Sequence, residues 1–379
     1  MIVKDGGPAL ERCLASVAPL LDGILDRIVL GDTGSTDDTL AIAKRFDAST
    51  LTLPWHNDFA RARNQVLDAA RCDWILVLDA DEMLDPAQAA QLLPALLNNP
   101  QAHAYALTRR NYLRAADRVP CRSLPNPGDL PAAAQYPEYL PSRHVRLFRR
   151  NPHVFFEHCV HEQITNRLDA LGLPVISAPL LIHHFGCVEG TLESRRQKID
   201  LYQRLGLEKL AHSPADFDAC FQLGINELYH LNQPAQALTR FHTATQLQPT
   251  DGRAPLYSGV CLLRLNRHDD ARHALEHAQS LGEQDPVLFD SLGDAYLQTG
   301  DYARALASYR RLTLLTAPTP IAQAKQGAAE VYLGDTTHGL DRIRRAIAQA
   351  PTSAPLQALY RLMQETAATA ASTQTTAVV

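Results

Sequence analysis

The run Trp74-Ile75-Leu76-Val77-Leu78-Asp79-Ala80-Asp81-Glu82 carries an apolar stretch straight into three acids. If that stretch is a buried strand, its carboxylates emerge together at one sheet edge, where like charges repel unless a cation neutralises them. Oxygen ligands suit Mg²⁺ or Mn²⁺, and a hard ion held by few protein groups completes its shell with phosphate oxygens. The cluster therefore predicts a site for a divalent metal and a diphosphate. Acids also cap helices, and a helix starting at Pro86 accounts for Asp85 in that way, but not for Asp79 or Asp81. A second run has the same form: Ile28-Val29-Leu30-Gly31-Asp32-Thr33-Gly34-Ser35-Thr36-Asp37-Asp38-Thr39. Gly34 permits a turn, and Ser35 or Asp37 can cap a helix whose N-terminal amides face the same edge. Asp32, at the strand tip, can accept hydrogen bonds from a nucleotide base.

Both runs need strands that deliver them side by side, and the first 190 residues supply that grammar. Short apolar strands at 2–3, 27–31, 50–53 and 74–78 alternate with amphipathic helices at 9–21, 37–46 and 58–71. Crossovers of that length imply parallel strands wrapped by helices, with the site at the strands' carboxyl ends. Further strands are expected at 104–112, 144–149, 154–157 and 175–183, separated by irregular segments. One of these, 120–141, holds six prolines and reads either as an acceptor-binding flap or as a surface excursion.

Beyond residue 190 the strand pattern stops and a repeat begins. Gly224, Gly259, Gly293 and Gly327 follow one another at 35, 34 and 34 residues, each inside a similar helical phrase. A period near 34 is the tetratricopeptide period, and stacked hairpins of that kind bury a core that none could bury alone. In the clearest copy, Gly293, Tyr296, Gly300, Ala305 and Tyr309 fall where a helix-turn-helix needs small contacts, an aromatic wedge and a turn glycine. Residues 191–365 thus read as a connecting helix and about four repeats. The Ala/Thr/Ser-rich end, 366–379, reads as a disordered tail.

Met1-Ile2-Val3-Lys4, Leu10-Glu11-Arg12-Cys13-Leu14, Asp32-Thr33-Gly34-Ser35-Thr36-Asp37, Pro54-Trp55 with Asp58-Phe59 and Arg63-Asn64, and the Asp79-x-Asp81 (DXD) run occur in one order. This ordered set resembles the family 2 glycosyltransferases of GT-A fold, in a subgroup with tetratricopeptide repeats behind the catalytic domain. The resemblance implies a GT-A-like nucleotide-diphospho-sugar transferase domain over 1–190 followed by an all-α solenoid. It also implies inverting transfer of a sugar from a nucleotide-sugar, usually a UDP-sugar. By position, Asp32 would contact the base, Asp79 the ribose or metal, and Asp81 the divalent metal. Lys4, Asp5 and Arg63 complete the implied donor-side set, although Arg63 and Asn64 also suit helix packing. An inverting displacement needs a base on the acceptor hydroxyl. Glu162, with His161 beside it, is the choice, in the segments Arg146-Leu147-Phe148-Arg149 and Val160-His161-Glu162 that resemble the subgroup's; an ordinary strand end is the competing reading. The pair His183-His184 offers a further metal ligand, with His183 taken forward, against a structural role for both.

The chain departs from the family after its first strand, where Asp5-Gly6-Gly7 replaces an expected Asn-Glu-Glu, and Met1 falls inside the strand itself. Both departures are expected to weaken donor binding or the domain's stability. The formal charge of −5, from 36 Lys+Arg against 41 Asp+Glu, argues against a surface dedicated to nucleic acid. No signal-peptide layout or transmembrane run is seen, so a cytoplasmic protein is expected. The seven scattered cysteines form no CxxC pair, which argues against a disulfide framework. Two functions remain in play: a metal-dependent glycosyltransferase whose repeats hold an acceptor (protein, peptide or glycan) or a protein partner, and a repeat-based interaction module with an inactive transferase domain.

Overall fold

A computed structural model describes residues 1–21, 23–115, 123–160, 162–316, 319–351 and 353–376. They fall into two compact units that divide between Lys198 and Ile199.

In the first unit β1 (Ile2–Val3), β2 (Val29–Asp32) and β3 (Ser49–Thr52) form a parallel sheet in that order. Helices α1 (Gly7–Val17) and α2 (Thr39–Arg45) make the two crossovers, and α3 (Phe59–Ala69) leads on to the second sheet. Leu10 and Leu14 of α1 and Ile42 of α2 are buried with Leu30 of β2. The side of α3 that carries Ala62 and Val66 packs on Leu53 instead. The second sheet is mixed and orders β4 (Trp74–Leu76), β8 (Glu138–Arg149), β6 (Ala104–Leu113), β9 (Val175–His184) and β5 (Glu82–Met83), with β7 (Leu124–Pro125) on β8. Only β6 and β9 run parallel in it. Helix α4 (Pro86–Leu97) begins at an Asp85 cap and adds Ala89 and Leu93 to the core under this sheet.

Three expectations about elements are corrected. The strand foreseen at 144–149 begins at Glu138 and passes through Pro141, which faces Arg110 of β6 where neither β4 nor β7 pairs with β8. A proline lacks the N–H a second ladder would need, so an unpaired side tolerates it. The strand foreseen at 154–157 does not form. Phe156 instead exchanges both backbone groups with the Asn64 amide at 2.8 and 2.9 Å, and Glu157 makes a lone bridge with Gln163. Of the proline-rich segment, 120–122 lie outside the described residues, and the remainder contains β7, a short 3-10 turn and the start of β8.

In the second unit α6 (Leu192–His212) leads into four helix pairs. They are α7 (Phe217–Tyr229) with α8 (Pro234–Leu247), α9 (Arg253–Arg264) with α10 (His268–Ser280), α11 (Pro286–Gln298) with α12 (Tyr302–Leu315), and α13 (Pro320–Tyr332) with α14 (Thr336–Gln349). The repeat glycines mark the crossings. A Cβ on Gly224 would sit 2.8 Å from Phe241, on Gly259 2.4 Å from Leu275, and on Gly293 2.3 Å from Tyr309. At Gly327 it would sit 2.6 Å from the Gly339 carbonyl. The last helix, α15 (Ala354–Thr376), covers most of the stretch expected to be a disordered tail. Its alanines carry the highest helix propensity, which offsets the poor apolar pattern.

Candidate functional site

The single parallel sheet expected to deliver both acidic runs is corrected: β2 stays in the parallel sheet, whereas β4 belongs to the second sheet and runs antiparallel to β8. Asp32 closes β2 and is 3% exposed. Its oxygens accept from the Gly34 and Ser35 amides at 3.0 to 3.4 Å, so it shapes the turn it was expected to expose to a base. Asp5 adopts φ 48 and is stitched to the same turn. Its carboxylate accepts from Thr36 N at 2.7 Å, which holds it below its ordinary range, while its amide donates to Ser35 Oγ. Lys4 beside it is exposed. The N-cap of α2 is Asp38 rather than Ser35 or Asp37; Asp37, one residue earlier, accepts from Thr39 N at 3.0 Å.

Two of the acids after β4 are paired with arginines. Glu82, with its side chain fully buried, accepts from Arg146 at 3.1 Å and Arg109 at 3.2 Å, and its other oxygen accepts from the Asp79 amide at 2.9 Å. Asp79 sits between Arg63 (2.5 Å) and Arg146 (3.1 Å). Burial alone would raise the Asp79 carboxyl, but these two guanidinium groups hold it well below the usual carboxylate range. Arginines from α3, β6 and β8 thus neutralise Asp79 and Glu82 from within the protein. The sequence reading did not bring Arg109 and Arg146 to these acids. Their signal was charge in the middle of strands whose neighbours, such as Leu107 and Leu147, are buried.

Asp81 is the exception, since its partner is a histidine. His184 Nε2 lies 3.3 Å from Asp81 Oδ2, and Phe185 N donates to the Asp81 carbonyl at 3.0 Å. Burial opposes charge on His184, but hydrogen bonds with Asp81 and Cys187 and the Asp81 charge raise it to about 9. Burial would likewise raise the Asp81 carboxyl, yet His184 lowers it. The pair is packed on Gly186, where a Cβ would fall 2.3 Å from Asp81 Oδ2 and 2.6 Å from His184 Nε2. His183, the histidine taken forward as a metal ligand, points to the other face of β9. There it is 2% exposed, shares a 2.6 Å hydrogen bond with Tyr112 Oη and is lowered by burial to about 4. Successive strand residues alternate faces, so only one of the two histidines can reach Asp81.

On the acceptor side, Glu162 is 13% exposed and its Oε1 accepts from Arg63 Nε at 2.5 Å. His161 lies outside the described residues. Arg63 thus touches the expected base and the Asp79 carboxylate at once, and it is 8% exposed. Burial works against its charge, but the two carboxylates keep it more firmly protonated than an ordinary arginine.

A divalent cation fits the donor set only in part. Asp79 has both oxygens committed to arginine, which leaves Asp81 and His184 as the candidate protein ligands. No group of three or more His, Cys, Asp or Glu suited to a metal occurs among the described residues. Two protein ligands accord with Mg²⁺ or Mn²⁺, which keep waters and substrate phosphates in their shells.

The sheets with their acidic edge and the phased helix pairs define a two-part protein, a mixed α/β domain followed by a helical repeat array. The chain matches the glycosyl transferase family 2 model over residues 1–158 and a tetratricopeptide repeat model over 228–292. It is 35% identical over 236 residues to a TPR repeat-containing protein of Synechococcus elongatus, covering 59% of this chain and 50% of that one. It is 28% identical over 243 residues to the SPbeta prophage-derived glycosyltransferase SunS of Bacillus subtilis, covering 63% and 50%. The chain therefore spans about half the length of these curated relatives. Among solved structures it is similar to MamA, with 18% identity and a TM-score of 0.38 over 43% of this chain and 97% of that one. Among the described residues no helix is long and apolar enough to cross a membrane.

Proposed function

We propose that the first unit is a metal-dependent, inverting glycosyltransferase that moves a sugar from a nucleotide-sugar, a UDP-sugar by preference, to an acceptor held or recruited by the repeats. The observation that carries this reading is Asp81 with His184. In a cluster otherwise neutralised by arginines, this carboxylate is hydrogen-bonded to a group that can give up its proton and become a metal ligand. Asp81 and His184 would hold the cation, and a cation there supplies positive charge against the charge that develops on a departing diphosphate. Asp79 and Glu82 anchor Arg63, Arg109 and Arg146 around that edge, and Glu162 offers its outer oxygen, Oε2, to the acceptor hydroxyl proton. The repeats' helix pairs suit a protein or peptide partner.

A second reading is the interaction module with an inactive transferase domain. It draws on Asp5 and Asp32, whose oxygens are spent on the turn at 34–36. Calorimetry with UDP and Mn²⁺ separates the two. The transferase reading expects saturable, Mn²⁺-dependent UDP binding to the full chain, abolished in Asp81→Ala. Absence of any nucleotide binding, together with no turnover across a panel of nucleotide-sugars, establishes the second reading instead.

A further inference from the structure

Arg63 and Asn64 are adjacent on α3, yet both reach the same distant segment. The Asn64 amide clamps both backbone groups of Phe156, and Phe59 N at the start of α3 donates to the Cys159 carbonyl at 3.0 Å. The Glu157–Gln163 bridge then closes the loop that presents Glu162, with N–H to O distances of 3.0 and 3.2 Å. Packing of this loop is already served by Asn64, Phe59 and the burial of Phe156 and Ile164. Arg63 adds a charge nearly closed off from water, a costly choice for packing alone, since apolar residues of similar volume commonly stabilise as well or better. What it adds is a link: Nη2 on Asp79 Oδ1 and Nε on Glu162 Oε1, both at 2.5 Å.

We propose that Arg63 is a positioning residue that registers the acceptor-side loop 157–163 on the donor-side strand end and couples the two. The coupling, unlike the tether, rests on the transferase reading. One guanidinium is divided between two carboxylates. A nucleotide-sugar that engages the Asp79 side draws on that carboxylate, and the guanidinium then leans on Glu162 alone, which tightens the loop before an acceptor arrives. A lysine has one ammonium on a flexible stem and no planar fork, so it cannot hold both carboxylates in fixed geometry.

Amide hydrogen exchange on the full chain tests this, using wild type, Arg63→Gln, Arg63→Lys and Glu162→Gln, each with and without UDP and Mn²⁺. Without nucleotide, exchange across 157–163 is expected to rise at least tenfold in Arg63→Gln, with β2 and β4 unchanged. Glu162→Gln removes one end of the link while leaving Asp79 paired, and it gives the same comparison should Arg63→Gln fail to fold. With UDP and Mn²⁺ at saturating concentration for each variant, wild type is expected to slow the loop about tenfold further, and Arg63→Lys to show no such slowing. A merely structural arginine would not separate binding from loop response. Unchanged loop exchange in the folded Gln variants overturns the tether, and equal slowing in Arg63→Lys overturns the coupling. If wild type binds no UDP, the transferase reading and the coupling fall together, and the nucleotide-free exchange still decides the tether.

Discussion

At the scale of single residues, two neighbours on one strand titrate in opposite directions. His184 is raised to about 9 by Asp81 and Cys187 against the pull of burial, so its contribution to stability is complete below the ordinary histidine value of 6.5 and disappears as pH rises through 9. His183 is lowered to about 4, chiefly by burial, so its contribution is complete above 6.5 and disappears as pH falls through 4. Thermal stability of the metal-free protein is therefore expected to peak near neutrality, and His184→Gln to flatten the alkaline limb while sparing the acidic one. An alkaline limb that is unaltered in that variant refutes the pairing. Gly186→Ala places a methyl group 2.3 Å from Asp81 Oδ2, and is expected to return the His184 titration toward 6.5, read by its ring proton shifts, and to weaken any Mn²⁺ binding at least tenfold. The sequence identified Asp81 because an apolar run ending in acids has few structural explanations. It could not choose between the histidines, because that choice depends on the register of β5 on β9, which pairs Glu82 with His184 and Met83 with His183. Nothing within the dipeptide encodes that register.

At the scale of elements, the strands that were legible are those with unbroken apolar runs, and the losses come where side chains stand in for backbone ladders. Residues 154–157 carry a strand-like pattern, but an amide from α3 meets the backbone of Phe156 before any neighbouring strand does. Asn64→Ala is expected to cost about 1–3 kcal/mol, the range for leaving buried backbone groups unpaired, and to release residues 154–157 from protection in amide exchange. A neutral result would mean that water or another strand satisfies Phe156. The acid cluster shows the same limit over a longer range. Glu82 is neutralised by Arg109 of β6 and Arg146 of β8. Pairing acids with arginines so far away in sequence requires the strand order β8-β6-β9-β5, which local pattern does not give. Glu82→Ala leaves Arg109 without its carboxylate partner and Arg146 with Asp79 alone, and is expected to cost about 3–5 kcal/mol by chemical denaturation. A loss of under about 1 kcal/mol would show those arginines to be solvated instead.

At the scale of the whole molecule, the chain joins two units whose stabilities rest on different patterns, and the repeat period made the second the more legible. Its glycines are placed by helix crossings that recur with the period, so one sequence interval reports one packing contact four times. The first unit has no such redundancy, and its site depends on pairings each made once. The cores follow the same division. Phe241, Leu275 and Tyr309 are buried among the repeats, whereas Leu30, Leu84 and Tyr105 are buried among sheet and helices before residue 190. A defect at one crossing should therefore stay within its own unit. Gly293→Ala forces a Cβ to within 2.3 Å of the fully buried Tyr309 ring. Overpacking of this kind costs about 1–3 kcal/mol, which for an array of this size lowers the melting temperature by roughly 5 °C. Calorimetry is expected to show a lowered transition for the repeats, with the His184 titration and any Mn²⁺-dependent UDP binding unaltered. If the substitution instead shifts a single transition for the entire chain, or moves the His184 titration, the units are energetically one body and the site's geometry depends on the repeats behind it.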